Sequence, residues 1–213
     1  MTTRLFLLSP ANLTGLRARQ LTSPRATFEA AQLYRSPEGV PIATAFAFMS
    51  ALYFRGKIAY ALQFAEQENV FVIVPGFGLV APDWRITEER MKVMRRTPVD
   101  VTDKRYVKPL MRDALALAEK HSDAEVVLLG SVATGKYVDI LLPIFGDRLR
   151  FPAMFAGLGD MSRGGLMLRA ARANRELEYT MLSSPRHKLS NNPVELAREW
   201  ARNVLSSPMG PKK

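Results

Sequence analysis

The sequence predicts one α/β domain, spanning residues 1–213, with a largely parallel central sheet and helices on both faces. Two short runs, Val70–Val74 and Glu125–Leu129, are almost wholly apolar, which is typical of strands covered on both faces. Stretches of helical length separate such runs, and strands that alternate with helices usually pair in parallel. No internal repeat or low-complexity linker divides the chain, so a single domain is expected.

Further elements follow from the same patterns. Arg4–Leu8 predicts a first buried strand. Residues 41–68 are apolar on most sides and predict a core helix that Gly56 divides in two. Pro143 should end the predicted helix at 136–145 early. Residues 206–213 should form a disordered basic tail. The other predicted elements are helices at 26–34, 85–94, 105–120, 136–145, 165–174 and 194–205, and strands at 148–151 and 176–181.

The charge of the chain indicates a polyanionic partner. The chain has 30 Lys and Arg against 20 Asp and Glu, a net charge of +10, and 21 of the 30 are arginines. DNA favours such an excess because neutralised phosphates release counterions, and guanidinium groups suit phosphate oxygens and base edges. DNA is therefore the expected partner. A basic but inert surface and an anionic membrane face are the alternatives.

Several classes of protein are excluded by composition. The chain has no cysteine, so disulfides, thiolate nucleophiles and cysteine-based metal centres are absent. The two histidines, His121 and His187, lack acidic residues at ligand spacing, so neither a metal site nor a cofactor is expected. No apolar run has the length of a membrane span, and the N-terminus lacks the apolar core of a signal peptide. A cytoplasmic protein without a membrane partner is expected, and its oligomeric state stays open.

Candidate site residues lie in loops that follow strands, because parallel sheets bind ligands beyond the carboxyl ends of their strands. The loop at 130–137 resembles a phosphate-binding loop, but Lys136 is followed by Tyr137 instead of Ser or Thr, so a nucleoside-triphosphate site is not expected. A DNA-phosphate contact through backbone amides and Lys136 is expected instead.

The loop at 75–84 combines glycines, two aromatics and a carboxylate. Its Pro-Gly-Phe-Gly segment resembles the hairpin of helix-hairpin-helix DNA-binding motifs, and a tight turn after a strand is the alternative. Phe77 and Trp84 could stack an extruded base, while Asp83 places a charge beside its sugar.

The loop at 157–165 contains four glycines and opens a helix that carries Arg169, Arg172 and Arg175 on one side. Glycines let backbone approach phosphate closely, so this segment is the preferred DNA-contacting surface. A solvated helix face is the alternative.

Four short segments stand out in the chain: Leu7-Leu8-Ser9-Pro10-Ala11-Asn12, Leu33-Tyr34-Arg35-Ser36-Pro37, Pro75-Gly76-Phe77-Gly78-Leu79-Val80-Ala81-Pro82-Asp83 and Phe155-Ala156-Gly157-Leu158-Gly159. Together they resemble the peroxide-stress protein family of the YaaA type and, more closely, a related uncharacterised bacterial and phage domain family. The resemblance covers about Arg4 to Arg172. Phe77 stands where that family has a tyrosine, and its Pro-Tyr-Asp element is missing.

The resemblance implies an α/β core, DNA association and a distant likeness to the uracil-DNA-glycosylase group, with its three-layer arrangement, and to the domain that handles a modified guanine in archaeosine synthesis. Likeness of fold does not fix function.

The sequence-based hypothesis is a DNA glycosylase-like enzyme that extrudes a modified or damaged base and hydrolyses its N-glycosidic bond. Defence against phage with modified DNA is one setting for it. A non-catalytic DNA-binding stress protein and a nucleotide or nucleoside hydrolase are the rivals. The assigned residues are Asp83, then Asp160, as the carboxylate, Asn12 for the base edge, Phe77, Trp84 and Tyr137 for stacking, and Lys136, Ser162, Arg163, Arg169 and Arg172 for phosphates.

Overall fold

A computed structural model describes residues 3–155 and 157–182, which form an α/β unit with a six-stranded, mostly parallel sheet. The strands are β1 (Arg4–Leu8), β2 (Val40–Pro41), β3 (Val70–Val74), β4 (Gly78–Val80), β5 (Arg85–Ile86), β6 (Glu125–Leu129), β7 (Leu149–Pro152) and β8 (Tyr179–Met181). The α-helices are α1 (Leu16–Leu21), α2 (Glu29–Arg35), α3 (Ile42–Met49), α4 (Ala51–Phe64), α5 (Glu88–Arg96), α6 (Lys104–Lys120), α7 (Val138–Phe145) and α8 (Asp160–Arg172).

The sheet has the order β4-β3-β1-β6-β7-β8. β1, β3, β6 and β7 are parallel, whereas the edge strands β4 and β8 run antiparallel to their neighbours. A separate ribbon pairs β2 with β5. The chain builds outward from β1 through β3 and then crosses to β6 on the other side of β1. The carboxyl ends of β1 and β6 therefore flank a topological switch point, where open α/β sheets bind ligands.

Helices cover both faces of the sheet, as the sequence predicts. In β1, Phe6 and Leu8 belong to a core with α1–α5 and α8, while Leu5 and Leu7 face a second core with α6 and α7. Successive side chains of a strand point to opposite faces. β1 and β6 are buried from their second residue onward and β3 is buried except at Phe71, which explains why these stretches are apolar.

Capping side chains set the starts of two helices. The Thr87 hydroxyl accepts a hydrogen bond from the Arg90 amide before α5, and the Asp103 carboxylate accepts one from the Arg105 amide before α6. Each side chain satisfies an amide that the first helical turn leaves free.

The contact between α4 and α8 is made by two glycines. A Cβ on Gly56 would lie 2.5 Å from the carbonyl oxygen of Gly164, and a Cβ on Gly164 would lie 2.6 Å from that of Leu52. The two backbones therefore touch without side chains between them. The prediction that Gly56 divides a helix is wrong, because α3 ends at Met49 and the chain turns at Ala51, where φ is 43°.

The turn at 75–78 belongs to a β-hairpin, so the helix-hairpin-helix interpretation is wrong. The Phe77 amide donates to the Val74 carbonyl at 3.0 Å, and β4 pairs antiparallel with β3. Gly76 has a φ of +85°, a conformation that glycine adopts readily. The β-branched run before the turn favours a strand over a helix.

Other predicted bounds are also corrected. Pro143 lies inside α7, which continues to Phe145, because the helix is held by its buried apolar side chains and a proline removes only one amide donor. The predicted helix at 85–94 begins after β5, which occupies its first two positions. α8 begins at Asp160, five residues before the prediction. The predicted helix at 194–205 and tail at 206–213 lie outside the described residues.

The described helices include none with both the length and the apolar character that crossing a bilayer requires.

Gly164→Ala should destabilise the protein by about 2 kcal/mol or more, since the new Cβ collides with backbone that a rotamer change cannot move. The matched control is Gly165→Ala in the same helix, where the Cβ meets only the tip of Arg169 at 3.3 Å. The control should stay within about 1 kcal/mol of the parent. Urea unfolding of both variants measures the difference, and equal stabilities would contradict the glycine contact.

Candidate functional site

Ser9 lies at the switch point, where β1 ends beside β6. Its amide donates to the Leu129 carbonyl at 3.2 Å, so the residue continues the sheet pairing by one position. Gly130 follows β6 directly, and a Cβ there would lie 2.9 Å from the Cβ of Ser9. The side chain of Ser9 therefore occupies space that a larger residue at position 130 would take. Ser9 is only 4% exposed.

Lys57 reaches Ser9 from α4. Its Nζ donates to the Ser9 Oγ at 2.7 Å and to the Ser9 carbonyl at 3.1 Å, and it lies 3.8 Å from the centre of the Tyr53 ring. The residue is 1% exposed, and within the described residues no carboxylate forms an ion pair with it. Burial lowers the pKa of Lys57 to about 7, while Asp160 opposes and Arg163 adds to this change.

Two buried tyrosines complete this group of polar side chains. Tyr137 precedes α7, and burial raises its pKa to about 12, although the Ser9 hydroxyl beside it opposes the rise. Tyr137 is therefore a neutral phenol at physiological pH. Burial also raises the pKa of Tyr53, whose hydroxyl has no hydrogen-bond partner in the described part of the chain. We name Ser9, Lys57, Tyr53 and Tyr137 the Ser9–Lys57 centre.

Asp160 and Arg163, in the first turn of α8, stand beside this centre. The Asp160 carboxylate affects the pKa values of Lys57, Tyr53 and Tyr137, yet its side chain is 68% exposed. The Arg163 guanidinium lies 3.8 Å from Asp160 and donates twice to the Phe155 carbonyl, at 3.2 and 3.0 Å. It also lies beside the Tyr53 hydroxyl and opposes the rise of that pKa, but it makes no hydrogen bond of normal geometry with it.

The loop before α8 borders open space. A Cβ on Gly157 or on Gly159 would meet no atom of the described residues within 4 Å. We name Asp160 together with Gly157 and Gly159 the rim of the site. The arrangement places an exposed carboxylate outside a buried group of hydroxyls and one amine.

The structure thus brings together three of the residues predicted from sequence, Tyr137, Asp160 and Arg163. Phe77 and Trp84 instead pack against each other, with their rings 5.0 Å apart, and against the core that includes α1–α5 and α8. Arg90 covers the Trp84 ring at 4.5 Å. Asp83 is exposed, and no hydrogen bond or ion pair joins its side chain to another described residue.

Asn12 and four of the five predicted phosphate-binding residues lie on the surface, whereas Arg163 is largely buried. The side-chain Oδ1 of Asn12 accepts from the amide and hydroxyl of Thr14, at 2.9 and 3.0 Å. Arg169 and Arg175 line a groove of about 430 Å³ beside α8. The exposed members of the predicted phosphate-binding set are Lys136, Ser162, Arg169 and Arg172.

Sequence reasoning did not single out the side chains of Ser9, Lys57 and Tyr53. The sequence does indicate that Lys57 is unusual, since it is the one lysine in the apolar stretch at 41–68. Its neighbours three and four residues away, which share its side of a helix, carry no acid that could pair with it. These neighbours are Tyr53, Phe54, Tyr60 and Ala61.

No three His, Asp or Glu side chains of residues 3–155 and 157–182 come together in a way that could hold a metal ion.

Lys57→Met should remove a pH dependence from stability. Below pH about 7 the folded protein must bury a charged amine, whereas the unfolded lysine keeps its proton up to about pH 10.4. The stability of the parent should therefore rise as pH increases between these values, at up to about 1.4 kcal/mol per pH unit. Because the variant lacks this rise, its advantage over the parent should be larger near pH 6 than near pH 9.5.

Urea unfolding across this range measures the effect, with Lys108→Met, an exposed lysine of α6, as the control. A difference between Lys57→Met and the parent that does not change with pH would refute the burial of a titrating amine.

Comparison with known proteins adds no relative to this picture. No family model, no curated protein and no solved structure matches the chain. The contacts of the Ser9–Lys57 centre and its rim therefore carry the functional assignment.

Proposed function

We propose that the protein binds DNA, takes an extruded modified or damaged base into the Ser9–Lys57 centre and hydrolyses its N-glycosidic bond, with Asp160 as the carboxylate. One observation carries this proposal. Asp160 is an exposed carboxylate at the rim of a buried polar centre, and that centre lies at the switch point of the sheet.

The chemistry requires a negative charge near C1′ of the sugar. Departure of the base leaves positive charge on the sugar ring, and a carboxylate fixed in place stabilises that charge or orients the attacking water. Asp160 is open to a large substrate and begins a helix whose position the Gly56–Gly164 contact fixes. Arg163 binds the Phe155 carbonyl, so we assign it the positioning of the rim instead of a phosphate contact.

Groups for recognising the base lie behind the rim. Ser9 and Tyr137 provide hydroxyls that donate and accept hydrogen bonds, and Tyr137 stays protonated because burial raises its pKa to about 12. Asn12 follows Ser9 by three residues and keeps its amide nitrogen as a donor. A flipped base is read through such contacts to its edge.

The phosphate backbone would be held by exposed cations around the same sheet edge. Lys136 lies in the loop after β6, while Arg169 and Arg172 continue from the rim along α8. The net charge of +10 supports a strongly salt-dependent interaction. We also propose that the sheet between two helical layers is a three-layer core of the uracil-DNA-glycosylase type. This is an analogy of fold, which is consistent with the proposed activity but does not establish it.

Asp160→Asn should reduce base release by about 100-fold or more, because it removes the charge that stabilises the transition state. Asp83→Asn should release base at the parental rate, since Asp83, unlike Asp160, does not affect the pKa of Lys57, Tyr53 or Tyr137. Asp123→Asn, a change in an exposed turn, is the control for loss of an acid. Unmodified, damaged and phage-type modified duplexes are the substrates, with alkali cleavage and mass spectrometry of free base as readouts.

DNA binding of each variant, measured over a range of salt concentrations, separates the rivals. Asp160→Asn should bind DNA as the parent does. Loss of activity in Asp83→Asn alone would transfer the role to the loop at 75–84. Strong salt-dependent binding without release from any substrate would favour the non-catalytic DNA-binding protein, and release from free nucleosides with weak duplex binding would favour the nucleoside hydrolase.

A further inference from the structure

The Ser9–Lys57 pair has the geometry of a nucleophile and its base. A serine hydroxyl becomes a nucleophile when a neighbouring group within hydrogen-bond reach accepts its proton. The Lys57 Nζ lies 2.7 Å from the Ser9 Oγ, and pairs of serine and lysine perform this chemistry on unrelated folds. Asp160, the carboxylate of the proposed base excision, is not needed for this proton transfer.

The surroundings of Lys57 keep its amine available as a base. The groups that face it are Ser9 from β1, Tyr53 and Phe54 from α4, and Asp160 and Arg163 from α8. Removal from water and the second cation, Arg163, disfavour the charged amine and outweigh the attraction of the Tyr53 ring face 3.8 Å away. Asp160, the one acid among these groups, makes no ion pair with Lys57. A substantial fraction of Lys57 is therefore unprotonated near neutral pH.

Two phenols supply proton donors beside the pair. Tyr137 is next to the Ser9 hydroxyl. The Tyr53 hydroxyl is buried and has no partner within the described residues, although a buried hydroxyl normally makes a hydrogen bond. An oxyanion that forms at Ser9 would provide an acceptor for such donors.

We propose that Ser9 is an activated nucleophile with Lys57 as its general base, and that the protein hydrolyses an ester or amide. The 2.7 Å contact between the Lys57 Nζ and the Ser9 Oγ carries this proposal.

The proposed hydrolysis uses only Ser9, Lys57, the substrate and water. The Ser9 hydroxyl proton passes to neutral Lys57 while the Oγ–C bond to the carbonyl carbon forms. The tetrahedral adduct then collapses, the bond to the leaving group breaks, and the leaving group takes the proton from Lys57. Water attacks the Ser9 ester with its proton passing to Lys57, and the return of that proton to Ser9 releases the acid.

A fluorophosphonate probe tests the nucleophile on the full chain, with peptide mass spectrometry to locate the label. The parent should be labelled on Ser9, and Ser9→Ala should not be labelled there. Lys57→Met should slow labelling by about 100-fold or more, as loss of a general base does. Lys108→Met, which changes an exposed lysine on α6, should leave the rate unchanged.

The pH profile distinguishes a base from a residue that only supports the fold. The labelling rate of the parent should rise as pH increases through about 7, and Lys57→Met should lose this rise. Asp160→Asn should move the rise to lower pH, because Asp160 raises the pKa of Lys57. This shift is measured without a DNA substrate, so the assay tests the Ser9–Lys57 nucleophile independently of the proposed base excision.

Absence of label on Ser9 in folded parent protein at saturating probe would overturn the proposal. A labelling rate that is equal in Lys57→Met and the parent would also overturn it. If either substituted protein fails to fold by circular dichroism, the site of labelling and the pH profile of the parent still decide.

Discussion

The backbone contact between Gly56 and Gly164 is the constraint on which the candidate site depends. It brings α4 and α8 together without intervening side chains, and each helix carries functional side chains within one turn of its glycine. Lys57 and Tyr53 flank Gly56, while Asp160 and Arg163 precede Gly164. The buried amine and the exposed carboxylate therefore share one centre because two residues have no side chain.

The exclusion of water from Lys57 follows from that packing. Lys57 is enclosed by aromatic rings and by Ser9, so removal from water outweighs the attraction of the nearest acid. A buried amine without an ion pair is costly to the fold, and such costs concentrate where proteins perform chemistry. Tyr53 adds a second cost, a hydroxyl without a partner within the described residues.

The central strands and the presence of helices on both faces could be predicted from sequence, because fully buried strands are apolar along their whole length. The break before α4 could not, since the left-handed conformation of Ala51 is imposed by packing and has no local signal. The sequence favours Asp83 over Asp160 because Phe77 and Trp84 lie in the same loop, yet β4 runs antiparallel to β3 and carries Asp83 away from the carboxyl edge. The contact between Lys57 and Ser9 could not be predicted, because the two residues are 48 positions apart in the sequence.

The position of β1 has a consequence for how this protein can change in length. Alternate residues of β1 belong to opposite cores, so deletion of one residue within the strand would exchange the two sets and turn Ser9 away from α4. The glycine loop before α8 borders space that no other described residue fills, and it carries no such restriction. Insertions that alter which substrates fit should therefore accumulate in that loop, while the spacing between the start of β1 and Ser9 stays fixed.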